Sequence, residues 1–512
     1  MPLELIQYYK SDGSALMWSV MSPGDLDGDG HSELFAYEAA REKRVLVFSG
    51  GILPDITPVK IFHGLSPYYR WIPDINSDGY DDFAIRRAYD PDIGEVEIWF
   101  GGPDFLEKES HDLLMGSTND TIEGLGFSTS SGDVNGDGWN DIVMSSINGW
   151  IYPYDGRFYI FYGGDILDTI VDEVISIYDL GDGYNNFWIG DGLGDINGDG
   201  LLDFGYTAIR PNCPGRMSII FGSIPLDTLP DITFWDPWQG TNGEDFGLEL
   251  EPLGDINDDG FDDFAVGGVS MWPCIYYGGN PFDTIPVILD GTSEGLSRGN
   301  RIANIGDING DGRDDIGVGA PFSSMECGKV YIYTGSWDII DTHVDLKLES
   351  YDAYPYCDLH FGESVGSAGD FNGDGIGDVA VSGQLYASGG ITYVFVYAGD
   401  RSIQTTAADD QIDRDLPPMS SVLYQNYPNP FNSETIIRYS LAGRHDREVS
   451  LNIYNLLGEK VRTLKQGFEG GGVHSAKWDG TDDNGAVVST GIYFSVFKSD
   501  GQATSKKMLL LK

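Results

Sequence analysis

The chain has 512 residues and a formal charge of −51, from 81 acidic against 30 basic side chains. That balance makes nucleic acid and anionic membrane poor partners, and no apolar run approaches the length that crosses a bilayer. Abundant glycine and aromatic residues at ordinary hydrophobic content suit an all-β globular chain rather than a disordered one.

In chain order, Leu5 to Tyr9 reads as a strand, with no cleavable leader visible before it, and Ala15 to Met21 reads as a second. The next stretch sets the plan of the molecule. Asp25, Asp27, Asp29 and Glu33 occupy positions 1, 3, 5 and 9 of a nine-residue loop, with Gly30 at position 6. Alternate residues of a tight turn point inward, and glycine supplies the positive φ that curls the chain round an ion. His31, at position 7, offers its backbone carbonyl. The donors are hard oxygens, which favours Ca²⁺ over Zn²⁺ or a redox metal.

The loop recurs six times. Its 1-3-5-7-9 residues are Asp74, Asn76, Asp78, Tyr80 and Asp82, then Asp133, Asn135, Asp137, Trp139 and Asp141. Next come Asp195, Asn197, Asp199, Leu201 and Asp203, followed by Asp255, Asn257, Asp259, Phe261 and Asp263. The last two are Asp307, Asn309, Asp311, Arg313 and Asp315, and Asp370, Asn372, Asp374, Ile376 and Asp378. Loop starts are separated by 49, 59, 62, 60, 52 and 63 residues, a period typical of repeat architectures. A single copy would read as an Asx-rich surface turn; seven copies predict up to seven Ca²⁺ sites. Position 12 carries apolar residues such as Ala36, Ile85 and Val318, which excludes an EF-hand. The first loop departs in ending on Glu33, the second in having Ser77 at position 4 after Pro73.

An apolar run follows each loop, for example Ile142 to Met144, and then an aromatic and β-branched strand that ends at Gly, for example Val330 to Tyr333. A more polar strand leads to the next repeat, for example Val174 to Tyr178. Four antiparallel strands per repeat of this length match a propeller blade. The last repeat has only three strands, ending near Tyr397. Seven blades close if Leu5 to Tyr9 becomes its fourth, which also removes the exposed edge.

These repeats resemble FG-GAP repeats of the integrin α-subunit type. Phe361-Gly362-Glu363-Ser364-Val365-Gly366 matches the FG strand and Gly319-Ala320-Pro321 the GAP element. The resemblance implies a seven-bladed propeller over residues 1–400, with ligand on the face opposite the Ca²⁺ loops. Residues 401–418 lose the repeat, turn acidic and end in Pro417-Pro418, as a linker does. From 419 to 512 the strands alternate with period two around Asn-Gly and Asp-Gly turns, predicting a small immunoglobulin-like β-sandwich. Its opening, Tyr427-Pro428-Asn429-Pro430-Phe431-Asn432, and its Trp478-Asp479-Gly480 and Gly491-Ile492-Tyr493-Phe494 runs resemble the type A C-terminal sorting domain of the type IX secretion system. That resemblance implies type IX secretion machinery as a partner and the extracellular space or outer-membrane surface of a Gram-negative bacterium as the destination. Asp479, Asp482 and Asp483 lack the loop spacing and read as polar turns.

Cys213, Cys274, Cys327 and Cys357 show no metal spacing and are either two disulfides or buried thiols. The pairs 213–274 and 327–357 are sterically conceivable on the face opposite the loops. No catalytic constellation is found. Gly362 to Gly366 fits G-x-S-x-G, but a strand and a Ca²⁺ loop follow it rather than a helix. Aromatic residues gather in the connections of the face opposite the loops: Trp150, Tyr152, Tyr154, Trp272, Tyr354 and Tyr356. They either pack against neighbouring loops or stack on a glycan or protein ligand. The expected function is a non-catalytic adhesion or ligand-binding module, with a polysaccharide-degrading enzyme and a passive spacer as the alternatives.

Overall fold

The segment following a loop is buried along its whole length in Glu33–Glu38, Asp263–Gly267, Asp315–Ala320 and Asp378–Leu385, and along its first four residues in Asp82–Arg87. Outer strands instead alternate, with every other residue exposed in Lys60–His63 and Ile232–Trp235. A strand apolar on both faces must be covered on both faces, so the sheets stack like blades. The computed structural model describes the chain except for residues 1–2, 11–16, 39–42, 52–56, 73, 88–94, 116–124, 148–155, 165–166, 177–186, 209–214, 227–228, 237–245, 248, 269–272, 290–300, 324–326, 337–339, 341–343, 350–358, 386–390, 404–421, 424–430, 432–434, 442–446, 470–471, 484, 500–501 and 512. It forms two compact units, Met1–Ala407 and Ala408–Lys512.

The first unit is a seven-bladed propeller of four-stranded antiparallel sheets. The innermost strands are Met17–Gly24, Leu65–Ile72, Leu125–Gly132, Phe187–Gly194, Glu249–Gly254, Arg301–Gly306 and Ser364–Gly369. Each packs beside the next, and the ring closes where Ser364–Gly369 meets Met17–Gly24. The seventh blade holds both ends of the domain. Leu5–Lys10 pairs antiparallel with Ile391–Tyr397, placing Leu5 opposite Tyr397 and Lys10 opposite Tyr393. Apolar cores lie between blades. One joins Ile305, Val330 and Ile332 of the sixth blade to Phe361, Val379 and Phe395 of the seventh. Another joins Phe35 of the first to Phe83 and Trp99 of the second, with Phe35 and Phe83 edge-to-face at 4.9 Å.

Each third strand ends at a glycine because nothing larger fits. A Cβ on Gly101, Gly163, Gly278 or Gly399 would lie 2.1 to 2.4 Å from a backbone carbonyl oxygen. The G-x-S-x-G serine sits within a strand of this lattice. Ser364 Oγ accepts from Val20 N at 3.2 Å, a bond across the closing seam.

The second unit is an immunoglobulin-like sandwich. A three-stranded sheet in the order Val422–Leu423, Thr435–Leu441, Gly472–Trp478 faces a four-stranded one in the order Lys460–Glu469, Arg447–Asn455, Gly491–Ser499, Gln502–Leu510. Trp478, Tyr439, Leu451, Tyr493 and Phe497 share its core. The carboxylates of Asp479, Asp482 and Asp483 accept backbone amides of Thr481, Ala486 and Thr463, as turn residues do.

The cysteines depart from one expected pairing. Cys274 is a buried thiol on the strand Cys274–Tyr276, opposite Ile288 and Val266, so 213–274 does not form. Its place inside the blade core, not on a connection, is the reason, and burial raises its pKa well above the ordinary thiol value. Cys327 is disulfide-bonded, to a partner outside the described residues.

Closure by the N-terminal strand yields a direct test. Deleting residues 1–10 leaves Ile391–Tyr397 as a bare edge. The truncated chain should melt earlier and self-associate in sedimentation velocity; a monomer with an unchanged Tm would refute a stabilising role for this pairing.

Candidate metal centres

In each loop, the residue types grade from solvent inward. Position 5 is largely exposed, positions 1 and 3 are mostly half-buried, and position 9 is fully buried in all seven loops, at Glu33, Asp82, Asp141, Asp203, Asp263, Asp315 and Asp378. Position 2 is an apolar plug, for example Leu26, Val134, Ile196 and Ile308, each 0% exposed. The plug anchors the loop to the core, and sequence reasoning missed it.

The carboxylates organise the backbone. In the sixth loop Asp307 Oδ1 accepts from Gly310 N at 2.7 Å and Asp311 N at 3.0 Å, and its Oδ2 accepts from Gly312 N at 2.7 Å. Asn309 Oδ1 accepts from Asp311 N at 2.9 Å, and Asp311 Oδ1 from Arg313 N at 3.1 Å. The first loop repeats this frame through Asp25, Asp27 and Asp29. So does the second, despite Ser77, which adopts φ 59°.

Position 9 ties the loop to its own blade. Asp315 Oδ2 accepts from Ile308 N at 3.0 Å and its Oδ1 from Gly335 N at 2.7 Å. Asp82, Asp141, Asp203 and Asp263 do the same with Gly101, Gly163, Gly222 and Gly278. Glu33 differs. Its Oε2 accepts from Leu26 N at 2.8 Å, while its Oε1 is buried with no hydrogen-bond partner.

Carbonyls of positions 1 and 2 tie the loop to the following blade. Asp307 O accepts from Gly377 N and Ile308 O from Asp400 N, at 2.9 and 2.8 Å. At the closing seam Asp370 O and Phe371 O accept from Ser32 N and Gly51 N. Five of the seven seams carry such bonds among the described residues. The repeated Gly-Gly after the third strand, as in Gly50-Gly51 and Gly278-Gly279, marked these partners in the sequence.

Position 7 does more than present a carbonyl. Its side chain often covers the position-4 glycine of the preceding loop. A Cβ on Gly28 would lie 2.4 Å from Tyr80, one on Gly198 2.5 Å from Phe261, and one on Gly373 2.0 Å from His31. Arg313 instead pairs with the position-5 carboxylate of its own loop, Asp311, at 3.3 Å. In the third loop Ile224 covers Gly136, with Leu201 3.6 Å from a Cβ placed there, and Trp139 N and Leu201 N donate to Asp137 and Asp199 as the other position-7 amides do. The six connection aromatics, Trp150, Tyr152, Tyr154, Trp272, Tyr354 and Tyr356, lie outside the described residues.

This donor set fits a hard divalent cation. Asp25, Asp27 and Asp29 each offer an oxygen within 4.8 Å of the others. Burial is the largest cause raising every position-9 carboxyl: Asp141 to about 6, Asp82 and Asp378 to about 7, and Glu33, Asp203 and Asp315 to about 8. Nearby loop carboxylates push the same way, against the lowering by backbone amides. A bound cation would supply the missing counter-charge.

The FG-GAP repeat profile matches residues 299–333, which hold the sixth loop, and the FlgD Ig-like domain profile matches 433–502. Human integrin alpha-6 is 33% identical over 226 residues, 42% of this chain and 18% of that protein. Integrin alpha-5 of Xenopus laevis is 28% identical over 252 residues, 46% of this chain and 22% of its own length. Mouse integrin alpha-2 is 42% identical over 84 residues, 16% of this chain and 7% of its own. The chain thus spans less than a quarter of each of these relatives. PorZ, a bacterial surface component of the type-IX secretion system of Porphyromonas gingivalis, aligns over 96% of this chain and 60% of its own at TM-score 0.37 and 9% identity, too distant a likeness to carry an argument. The first unit is thus a propeller whose sixth blade matches the FG-GAP repeat profile, and its sequence is similar to the integrin α-subunits over part of their length.

The raised carboxyls set a pH test. A carboxyl raised on folding stabilises the cation-free fold below its unfolded pKa, and this is lost as pH rises through its folded value. The loss should begin near the ordinary value of 3.8 and be complete by about pH 6 for Asp141 and about pH 8 for Asp203 and Asp315. Ligation needs the ionised form, so the cation's effect grows over the same window. The Tm of cation-stripped protein should therefore fall across it, and the rise on adding Ca²⁺ should be larger at its alkaline end. A Ca²⁺ effect independent of pH, or none, would contradict this assignment.

Proposed function

We propose that this protein is a Ca²⁺-dependent, non-catalytic ligand-binding propeller of a bacterial cell surface, carried there by its immunoglobulin-like C-terminal unit through the type IX secretion machinery. The observation that carries the reading is the ring of loops, each fastened to its own blade by the position-9 carboxylate and, at five seams, to the next blade through its carbonyls. One face is thereby committed to cation binding and ring integrity. The connections on the other face are free to vary, and that is where a rigid scaffold presents a recognition surface. Similarity to integrin α-subunits supports the binding role, and the FlgD Ig-like match supports the second unit's separate task. Ca²⁺ is the cation because the donors are all oxygens in a flexible loop, and extracellular sites of this kind bind at roughly 10⁻⁴ to 10⁻³ M.

The residues assigned to ligand contact are Trp150 and Trp272, with Tyr152, Tyr154, Tyr354 and Tyr356. The test is binding to a glycan array and a panel of matrix proteins, in millimolar Ca²⁺ and after chelation. Trp150→Ala and Trp272→Ala should each weaken binding at least about tenfold, the loss of one stacking anchor, with unchanged Tm and Ca²⁺ content. Binding that survives both substitutions would move the site; turnover of a polysaccharide by the purified chain would replace this reading with the enzymatic one.

A further inference from the structure

The first loop differs from the other six at two ligand positions, and both changes remove an internal hydrogen bond. Position 3 is asparagine in the other six, and its Nδ2 donates to a carboxylate of the same loop each time. Asn76, Asn135, Asn257 and Asn309 donate to the position-5 aspartate at 3.0 to 3.2 Å. Asn197 and Asn372 donate to the position-9 aspartate at 3.3 Å. Asp27 has no N–H to give. Position 9 is aspartate in the other six, and its second oxygen accepts from the glycine that follows the third strand. The longer Glu33 does not make that bond. It is 0% exposed, and its Oε1 has no hydrogen-bond partner among the described residues.

The carboxyl that carries this oxygen lies inside the loop. Glu33 Oε2 accepts from Leu26 N, at position 2, and the charges of Asp25, Asp27 and Asp29 all bear on Glu33. Those three aspartates each offer an oxygen within 4.8 Å of the others. The first loop thus gathers four carboxylates where the rest gather three, with fewer N–H donors of its own to balance them. A buried carboxylate oxygen without a partner calls for a cation.

This loop also adjoins the closing seam. Ser32 N, at position 8, donates to Asp370 O, and Gly51 N, just past the third strand of the same blade, donates to Phe371 O. The His31 ring, at position 7, covers Gly373 of the seventh loop, where a Cβ would lie 2.0 Å from His31 Cε1. The seventh loop is therefore seated on the two residues that precede Glu33.

We propose that the first loop is the primary Ca²⁺ site of the propeller, filled before the other six, and that its ion secures the seam between the seventh and first blades. The proposal rests on the Ca²⁺ reading of the loops given above. Affinity in loops of this kind follows the number and charge of the ligands. The other six close on themselves through asparagine and glycine amides and depend less on the ion.

The test is calorimetric titration of the full, cation-stripped chain with Ca²⁺, together with amide hydrogen exchange of the segment that holds Ser32 and Gly51. One equivalent should bind at least about tenfold more tightly than the rest, and that equivalent alone should raise protection at the seam. Asp27→Asn with Glu33→Asp gives this loop the residues of the other six, and should abolish both the tight class and the early protection. Asn135→Asp with Asp141→Glu gives the third loop the residues of the first, and should create a second tight site, a gain that misfolding cannot imitate. Equivalent sites throughout would overturn the proposal and leave Ca²⁺ binding intact; no Ca²⁺ binding at all would overturn both. A tight site that survives the first pair of substitutions, no gain from the second pair, or seam protection that arrives only with later equivalents would also overturn the proposal.

Discussion

The structure depends on a carboxylate with no access to water. In six loops position 9 is an aspartate whose two oxygens join separate pieces of backbone: the second residue of its own loop, or the third in the seventh blade, and the end of the third strand. Charge-assisted bonds to amides are strong, and the low dielectric makes them stronger. The same burial makes an uncompensated negative charge costly. The bonds that fix each blade therefore favour an ionised group that the fold, without a counter-ion, pushes toward its neutral form.

From that carboxylate the order spreads outward. It holds position 2, and position 2 buries its side chain in the core while its carbonyl takes an amide from the next blade at four seams. A ring of blades has no sequence-local means of keeping its members in phase. Here the loop supplies it, so that a cation bound in one blade bears on the seam with the next. The glycine at the end of each third strand is part of the same device. Its missing Cβ lets two backbones approach to hydrogen-bonding distance.

Much of this was legible in the sequence because it is local or periodic. The loop spacing announces itself in nine residues, and the apolar runs after Asp141 or Asp315 read as doubly buried strands. The pairing of Leu5–Lys10 with Ile391–Tyr397 followed from counting strands. What stayed hidden depends on facing across the ring. Tyr80 covering Gly28 requires the stagger between two blades, which no spacing encodes. Cys274 looked like a connection residue, yet it opens a buried strand, where it stays a thiol. Arg70 and Asp191 are 121 positions apart and meet only because the ring turns two blades toward each other.

The shared seventh blade also dictates an order of assembly. Its first three strands belong to one end of the propeller and its fourth to the other, so Leu5–Lys10 has no partner until residue 397 has been made. Blades one to six are sequence-contiguous and can form by local hairpins, but the ring stays open throughout. During synthesis and any passage as an unfolded chain, the first strand is an unsatisfied edge. Completion is then a single late step that converts a row of hairpins into a closed disc, and it couples the two termini of the domain in one cooperative event.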